Sequence, residues 1–205
     1  GLGTALVAGF GLLGGMAAAL LAEWVSWRTA YLVGGGCGLA LLLLRVRLRE
    51  SGLFSRQQAM AGPALRRGSL RLLLGTSARR GLYLRLVLIG LPVWFVAGIL
   101  MVFSPEISRS LGVPGITAAR CILFSYLGTS LGDVGSGLLS QVLRSRKRAI
   151  ALSLGLVILT VSAFLSARGV SSHTLYALCF ALGVSTGYWA VLVTTAAEHF
   201  GTNLR

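Results

Sequence analysis

The side chains best suited to chemistry lie on one face of an otherwise apolar run. Tyr126, Thr129, Ser130, Asp133, Ser136 and Ser140 recur at three- and four-residue spacing, which lines them up along one side of a helix. A polar stripe on an apolar helix is the pattern of a cavity wall. At its centre stands Asp133, whose carboxylate costs about 2.5–3.5 kcal/mol at the middle of a bilayer unless water or a partner faces it. Two roles fit. Asp133 can take up and release a proton as a cavity opens to either side in turn. It can instead be held by an arginine or a helix end and serve as a latch between conformations.

Other candidates surround it. Arg120 lies thirteen residues earlier on the same run, about 20 Å along a helix axis, so it cannot pair with Asp133. It either reaches outward to the interface or binds an anionic group of a solute. Pro92 removes a backbone hydrogen bond and can kink its helix. Trp94 and Phe95 beside it offer rings for stacking or packing. Ser185, Tyr188 and Trp189 share a face that is either a cavity wall or an interhelical hydrogen-bonding seam. The sequence carries no Ser-His-Asp set and no phosphate loop. His173 and His199 are isolated, and Cys37, Cys121 and Cys179 lack a CxxC partner. No catalytic residue, metal or cofactor is expected, and the cysteines read as small buried apolar residues.

These residues need elements to carry them. The chain is 55% hydrophobic and 12% charged, against about 25% charged in soluble domains. Six apolar segments approach the roughly 20 residues that cross a bilayer: Leu2 to Ala22, Thr29 to Arg45, Gly81 to Phe103, Ile116 to Ser140, Ala149 to Ala167 and Thr174 to Ala197. The expected fold is an all-α membrane protein with six transmembrane helices. Glycine pairs at Gly11/Gly15, Gly34/Gly38 and Gly128/Gly132 have the spacing of close helix crossings.

The net charge of +14 is unevenly spread. Ten arginines fall between Arg45 and Arg85, and Arg144, Arg146, Lys147 and Arg148 cluster after the fourth segment, while the other joints hold Arg28, Arg109 and Arg168. Positive charge in every second joint is the positive-inside pattern. It makes the two basic joints cytoplasmic and places Trp24 and Trp27 at the opposite interface. It also turns the charge away from nucleic acid and toward the lipid bilayer. The joint around Gly62-Pro63 has too few apolar residues for a core, and it is either an amphipathic piece lying on the anionic leaflet or a solvated linker. The chain opens on Gly1 inside an apolar run without a signal peptide, so a piece of a longer protein is expected.

The charge alternation and the long basic joint resemble a major facilitator superfamily transporter, which has two six-helix halves joined by such a loop. Three local patterns carry the resemblance. The stretch from Gly137 to Arg148, with Leu139, Gln141, Arg144 and Arg146, is similar to the family motif Gly-x-Leu-Ala-Asp-Arg-x-Gly-Arg-Arg. Gln141 stands where the motif has Asp, so a charge-based latch at this copy is not implied. Arg49-Glu50-Ser51 resembles the Glu-Ser element that closes the sixth helix in sugar-porter-like and metabolite–proton symporter-like members. Glu198 to Arg205 is similar to Glu-x-Phe-x-Thr-x-x-Arg after their tenth helix.

The resemblance implies helices five to ten of twelve: residues 1–46 end the first half, 47–80 form the inter-half loop and 81–205 begin the second half. It implies an inner-membrane, multi-pass secondary transporter, not an enzyme, moving a small polar solute together with protons by alternating access. The chain alone, without its missing helices, is expected to transport nothing. Two other readings fit the same fold: a drug-type efflux antiporter, against which the absence of Gly-Pro before Gly14-Gly15 weighs, and a non-transporting receptor or scaffold.

Overall fold

The computed structural model describes residues 2–46 and 75–200, and these residues contain helices and no strand. Helix α1 spans Leu2–Trp24 and α2 spans Trp27–Val46; α3 spans Ser77–Phe95 and continues through a π-helical turn at Val96–Leu100. A short α4 (Ser104–Ser110) follows, then α5 (Ala118–Val142), α6 (Arg146–Ser166), α7 (Ser172–Thr186) and α8 (Trp189–His199). The starts follow local chemistry. Ser26, Ser145 and Ser171 precede α2, α6 and α7, and each side-chain oxygen accepts a backbone N–H three residues on. Such caps satisfy donors that a helix start leaves free.

Among the described residues five stretches are long and apolar enough to cross a membrane: Leu6–Trp24, Trp27–Arg45, Ser77–Leu100, Arg146–Ser166 and Ser172–His199. Helix α5 has 25 residues, about 37 Å of length, but its Ser, Thr, Gly and Asp residues dilute its hydropathy. Its place explains this. It packs on α1 along one side and on α7 along the other, so its polar side chains meet protein rather than lipid. The protein is a multi-pass, all-α membrane protein.

The α5–α7 contact is the closest in the bundle. Gly128 and Gly132 lie against the backbone of Phe180 and Val184; Gly183 lies against the Ser125 carbonyl, and Gly187 against Gly132 and Asp133. A Cβ at any of these four would overlap backbone atoms, which no rotamer change can relieve. Two GxxxG segments therefore cross in parallel. The pair at Gly183/Gly187 adds to those expected. Gly15 meets the Tyr126 ring, whereas Gly34 and Gly38 meet nothing among the described residues, because α2 packs mainly on α1 and its apolar side chains are exposed around its circumference.

Three further expectations change. The sixth apolar segment is not one helix: it breaks at Gly187-Tyr188 into α7 and α8. The joint from Ser104 to Gly115 holds α4. The third segment starts earlier, at Ser77, and four residues after Pro92 it loosens into π geometry, where the Met101 N–H reaches the Val96 carbonyl. Pro92 has no N–H to give the Leu88 carbonyl, so the helix is already weakened one turn before this π segment. The buried core has two parts. One gathers Val96, Leu100, Met101, Cys121, Phe164, Leu175, Cys179 and Leu182 toward the α4 end. The other gathers Ile150, Val157, Tyr188, Val191 and Leu192 toward the α5–α6 turn.

Candidate functional site

Between the two core clusters the helices leave a cavity of about 310 Å³, near the lower bound of small-molecule sites. Helix α1 contributes Ala8, Gly11 and Leu12, and α3 contributes Val93, Trp94, Val96 and Ala97. Ser125, Tyr126, Thr129 and Asp133 come from α5, Thr186 from α7 and Trp189 from α8. The wall is mainly apolar. Its polar groups come mostly from the stripe on α5.

Each element positions its part for a physical reason. The glycines of α5 and α7 let the backbones touch, which brings Thr186 Oγ1 to 3.4 Å from Thr129 Oγ1. The break at Gly187 turns the chain so that α8 begins beside α5. There the Ala190 N–H donates to Asp133 Oδ1 at 3.1 Å, and Ser136 Oγ donates to the Gly187 carbonyl at 2.5 Å. Asp133, 2% exposed, thus caps a helix start from a neighbouring helix. Of the two partners expected for a latch, an arginine or a helix end, the geometry supplies the helix end. Trp189, next to the cap, stands edge to face with Trp94, ring centres 5.7 Å apart and planes at 84°.

The expected site residues separate into groups. Tyr126, Thr129, Asp133, Trp94 and Trp189 meet at the cavity. Ser130 does not line it: its hydroxyl donates to the Gly9 carbonyl of α1 at 3.0 Å. Tyr188 also stays outside. It is fully buried, and its hydroxyl donates to the Ile89 carbonyl of α3 at 2.6 Å. The neighbouring Ser185 lies 3.0 Å from the Thr160 hydroxyl of α6, so these two form an interhelical seam. Arg120 does not line the cavity, and its Nε donates to Glu23 Oε1 at 2.8 Å in an exposed pair. The residues that sequence reasoning passed over are Thr186, Ser125, the Ala190 N–H and the α1 wall. The Gly183-x-x-x-Gly187 spacing was the available signal for the first three.

At the α5–α6 turn, Gly137 is buried and Gln141 exposed. Arg146 pairs with Glu198 of α8, joining two of the patterns quoted above. Arg144 has φ 47°, the left-handed conformation that follows many helix ends and suits glycine. The motif's second glycine falls at this position. Glu50 and Ser51, within the basic joint from 47 to 74, and residues 201–205, including Arg205, lie outside the described residues. Among the described residues no three His, Cys, Asp or Glu side chains gather as a metal site.

The family model described as Major Facilitator Superfamily matches residues 1–205. No curated protein and no solved structure matches the chain. With apolar helices packed around an acid-bearing cavity and a family match along its whole length, the chain belongs to the major facilitator superfamily, a family of multi-pass secondary transporters.

Proposed function

We propose that this chain supplies helices five to ten of a twelve-helix transporter of the metabolite–proton symporter or sugar-porter-like branch, with residues 1–46 ending its first half, 47–80 linking the halves and 81–205 opening its second half. The transporter sits in the inner membrane with the basic joints cytoplasmic. It moves a small polar solute by alternating access, and Asp133 carries the coupled proton. One observation carries the reading: a single cavity is walled by α1 on one side and by α3, α5, α7 and α8 on the other, and it contains the buried carboxylate of Asp133. A cavity between two groups of helices can open to either side as they rock. The Arg146–Glu198 pair ties the start of α6 to the end of α8 beside the αL turn at Arg144, and on this reading it acts as a gate.

The test is uptake of a metabolite panel by vesicles holding the full-length protein, with an internal pH dye, for wild type and Asp133→Asn. Acidification that accompanies uptake, absent in the variant while solute counterflow persists, is the expected result. Unchanged coupling in the variant would remove the proton role and leave Asp133 as the cap of α8. Solute binding with no flux in either protein would favour the receptor reading. The mainly apolar wall is the one observation that favours a drug-type antiporter, and protection of cells from cationic dyes is its readout.

A further inference from the structure

Two buried thiols meet where the glycine seam runs out. Gly187 lies against Gly132 and Asp133, and one turn back Gly183 lies against the Ser125 carbonyl and the Thr129 nitrogen. Helices α5 and α7 run parallel there, so one further turn brings Cys179 opposite Cys121. Both cysteines are free, 0% exposed and part of one core cluster. Their thiols interact with one another, and the Ser104 hydroxyl is a further neighbour of Cys121. Ser104 opens α4, is itself 0% exposed and donates to the Met101 carbonyl at 2.7 Å. The start of α4 therefore lies against the pair. Helices added around this bundle can only cover the pair further.

One buried cysteine is a small apolar residue. Two in register across a backbone-to-backbone seam are a dithiol. A disulfide needs Cα atoms within about 7 Å of each other, whereas ordinary helix pairs stand about 8–10 Å apart at their axes. Glycines that let two backbones touch remove that obstacle. Cys121 also lies in the first turn of α5, so the pair is close to the α4 end of the bundle.

Resting on the topology proposed above, which turns the α4 end away from the cytoplasm, we infer that Cys121 and Cys179 form a redox site whose oxidised state is a disulfide between α5 and α7. Disulfides persist on that side of the membrane. The oxidant class is a small uncharged peroxide, which can reach a pair that no protein oxidant can touch. One sulfur, as thiolate, attacks a peroxide oxygen; the O–O bond breaks, a sulfenic acid forms and the first water leaves. The second sulfur attacks the sulfenic sulfur; the S–S bond forms, the S–O bond breaks and the second water leaves with the remaining thiol proton. Two thiols and one hydrogen peroxide become one disulfide and two waters. The bond staples the wall that carries the Asp133 cap and does not touch α1, so it stiffens that wall without tying it to the other half.

The experiment treats the full-length protein in nanodiscs with hydrogen peroxide, blocks free thiols with N-ethylmaleimide and maps the peptides by mass spectrometry without reduction. A Cys121–Cys179 cross-linked peptide, lighter by two hydrogens and released by dithiothreitol, is expected. Oxidation is expected to raise the thermal midpoint by several degrees and to slow amide exchange in α7 severalfold. Both effects should be absent in Cys121→Ala and in Cys179→Ala, and solute counterflow should persist in the oxidised wild type. Thiols that stay free at peroxide levels that oxidise added glutathione would overturn the inference. So would a cross-link that forms only in unfolded protein, or one that leaves the midpoint unchanged. A bond that arrests counterflow would overturn its place inside one moving wall. Cross-linking in a protein that moves no solute sinks the transporter reading and leaves this one; a transporting protein whose pair stays reduced does the reverse.

Discussion

The cap that Asp133 places on α8 can be separated from its charge by two substitutions. Asp133→Ala removes the acceptor and leaves the Ala190 N–H buried without a partner. A hydrogen bond to a charged group contributes about 1.5–3 kcal/mol, and a lost helix cap costs about 0.5–2 kcal/mol. These describe one interaction, not two, so the expected loss is about 2 kcal/mol, a shift of roughly thirtyfold in the opening equilibrium. Asp133→Asn keeps an oxygen 3.1 Å from the Ala190 nitrogen and removes the charge. It loses the charged part of the hydrogen bond, about 1 kcal/mol; the relief from burying a carboxylate is common to both variants and cancels between them. The asparagine variant is therefore expected to hold the start of α8 better than the alanine variant.

The assay is amide hydrogen exchange, read by mass spectrometry on the segment from Tyr188 to His199, in detergent or nanodiscs. Exchange at the start of α8 is expected to speed up by roughly thirtyfold in Asp133→Ala and to stay near wild type in Asp133→Asn. Tryptophan emission gives a second signal, because Trp189 follows the α7–α8 break directly and stands against Trp94. Unchanged exchange at Ala190 in the alanine variant would refute the cap. Equal harm from both substitutions would show that the charge, not the acceptor, holds α8.

Three other perturbations test the frame around the cavity. Arg144→Gly relieves a left-handed residue and is expected to raise stability by about 0.5–1 kcal/mol, after glycine's extra unfolded-state freedom is counted; a lower thermal midpoint would contradict it. Gly183→Ala drives a Cβ into the Ser125 carbonyl, and a loss of about 2–3 kcal/mol with splayed α5 and α7 is expected in detergent unfolding. Tyr188→Phe leaves the Ile89 carbonyl without its hydroxyl donor, costing about 1 kcal/mol in the same unfolding assay without altering solute affinity.

The helices and the stripe were legible because both rest on local rules. Apolar run length marked the spans, and three- and four-residue spacing put Tyr126, Thr129 and Asp133 on one wall. The fate of Ser130 was not legible. It sits one residue from Thr129, yet the rotation of α5 turns it to the Gly9 carbonyl of α1, and rotation is set by packing between helices. Tyr188 failed for a related reason. Its face was assigned by continuing one helix through Gly187, and the break reoriented it into the core against α3. Hydropathy cannot register that break, because both sides of it are equally apolar. Arg120 found Glu23 across ninety-seven positions of sequence, a contact that depends on α1 and α5 running antiparallel.

The two seams of α5 differ in how readily they can slide. Toward α7 the contact is backbone on backbone at four glycines, tied by the Ser136–Gly187 and Asp133–Ala190 hydrogen bonds. Displacing it by one residue would bring side chains where glycine alone fits. Toward α1, among the described residues, the middle of the contact holds one side-chain hydrogen bond, Ser130 to Gly9, and the Tyr126 ring on Gly15. An exposed ion pair, Arg120 with Glu23, closes its far end. A hydroxyl can exchange one carbonyl for the next along a helix, and an exposed pair can re-form through water. On the proposed alternating-access reading, the asymmetry puts the moving seam between α1 and α5 and keeps α5, α7 and α8 together as one wall. Any rocking that opens the cavity therefore carries Asp133, Thr186 and Trp189 together, and it changes what stands opposite them on α1: Ala8, Gly11 and Leu12. Ala8 and Gly11 are small and leave room for the wall to slide without unseating the cap that holds its acid, while Leu12 is the one bulky side chain that the wall must pass.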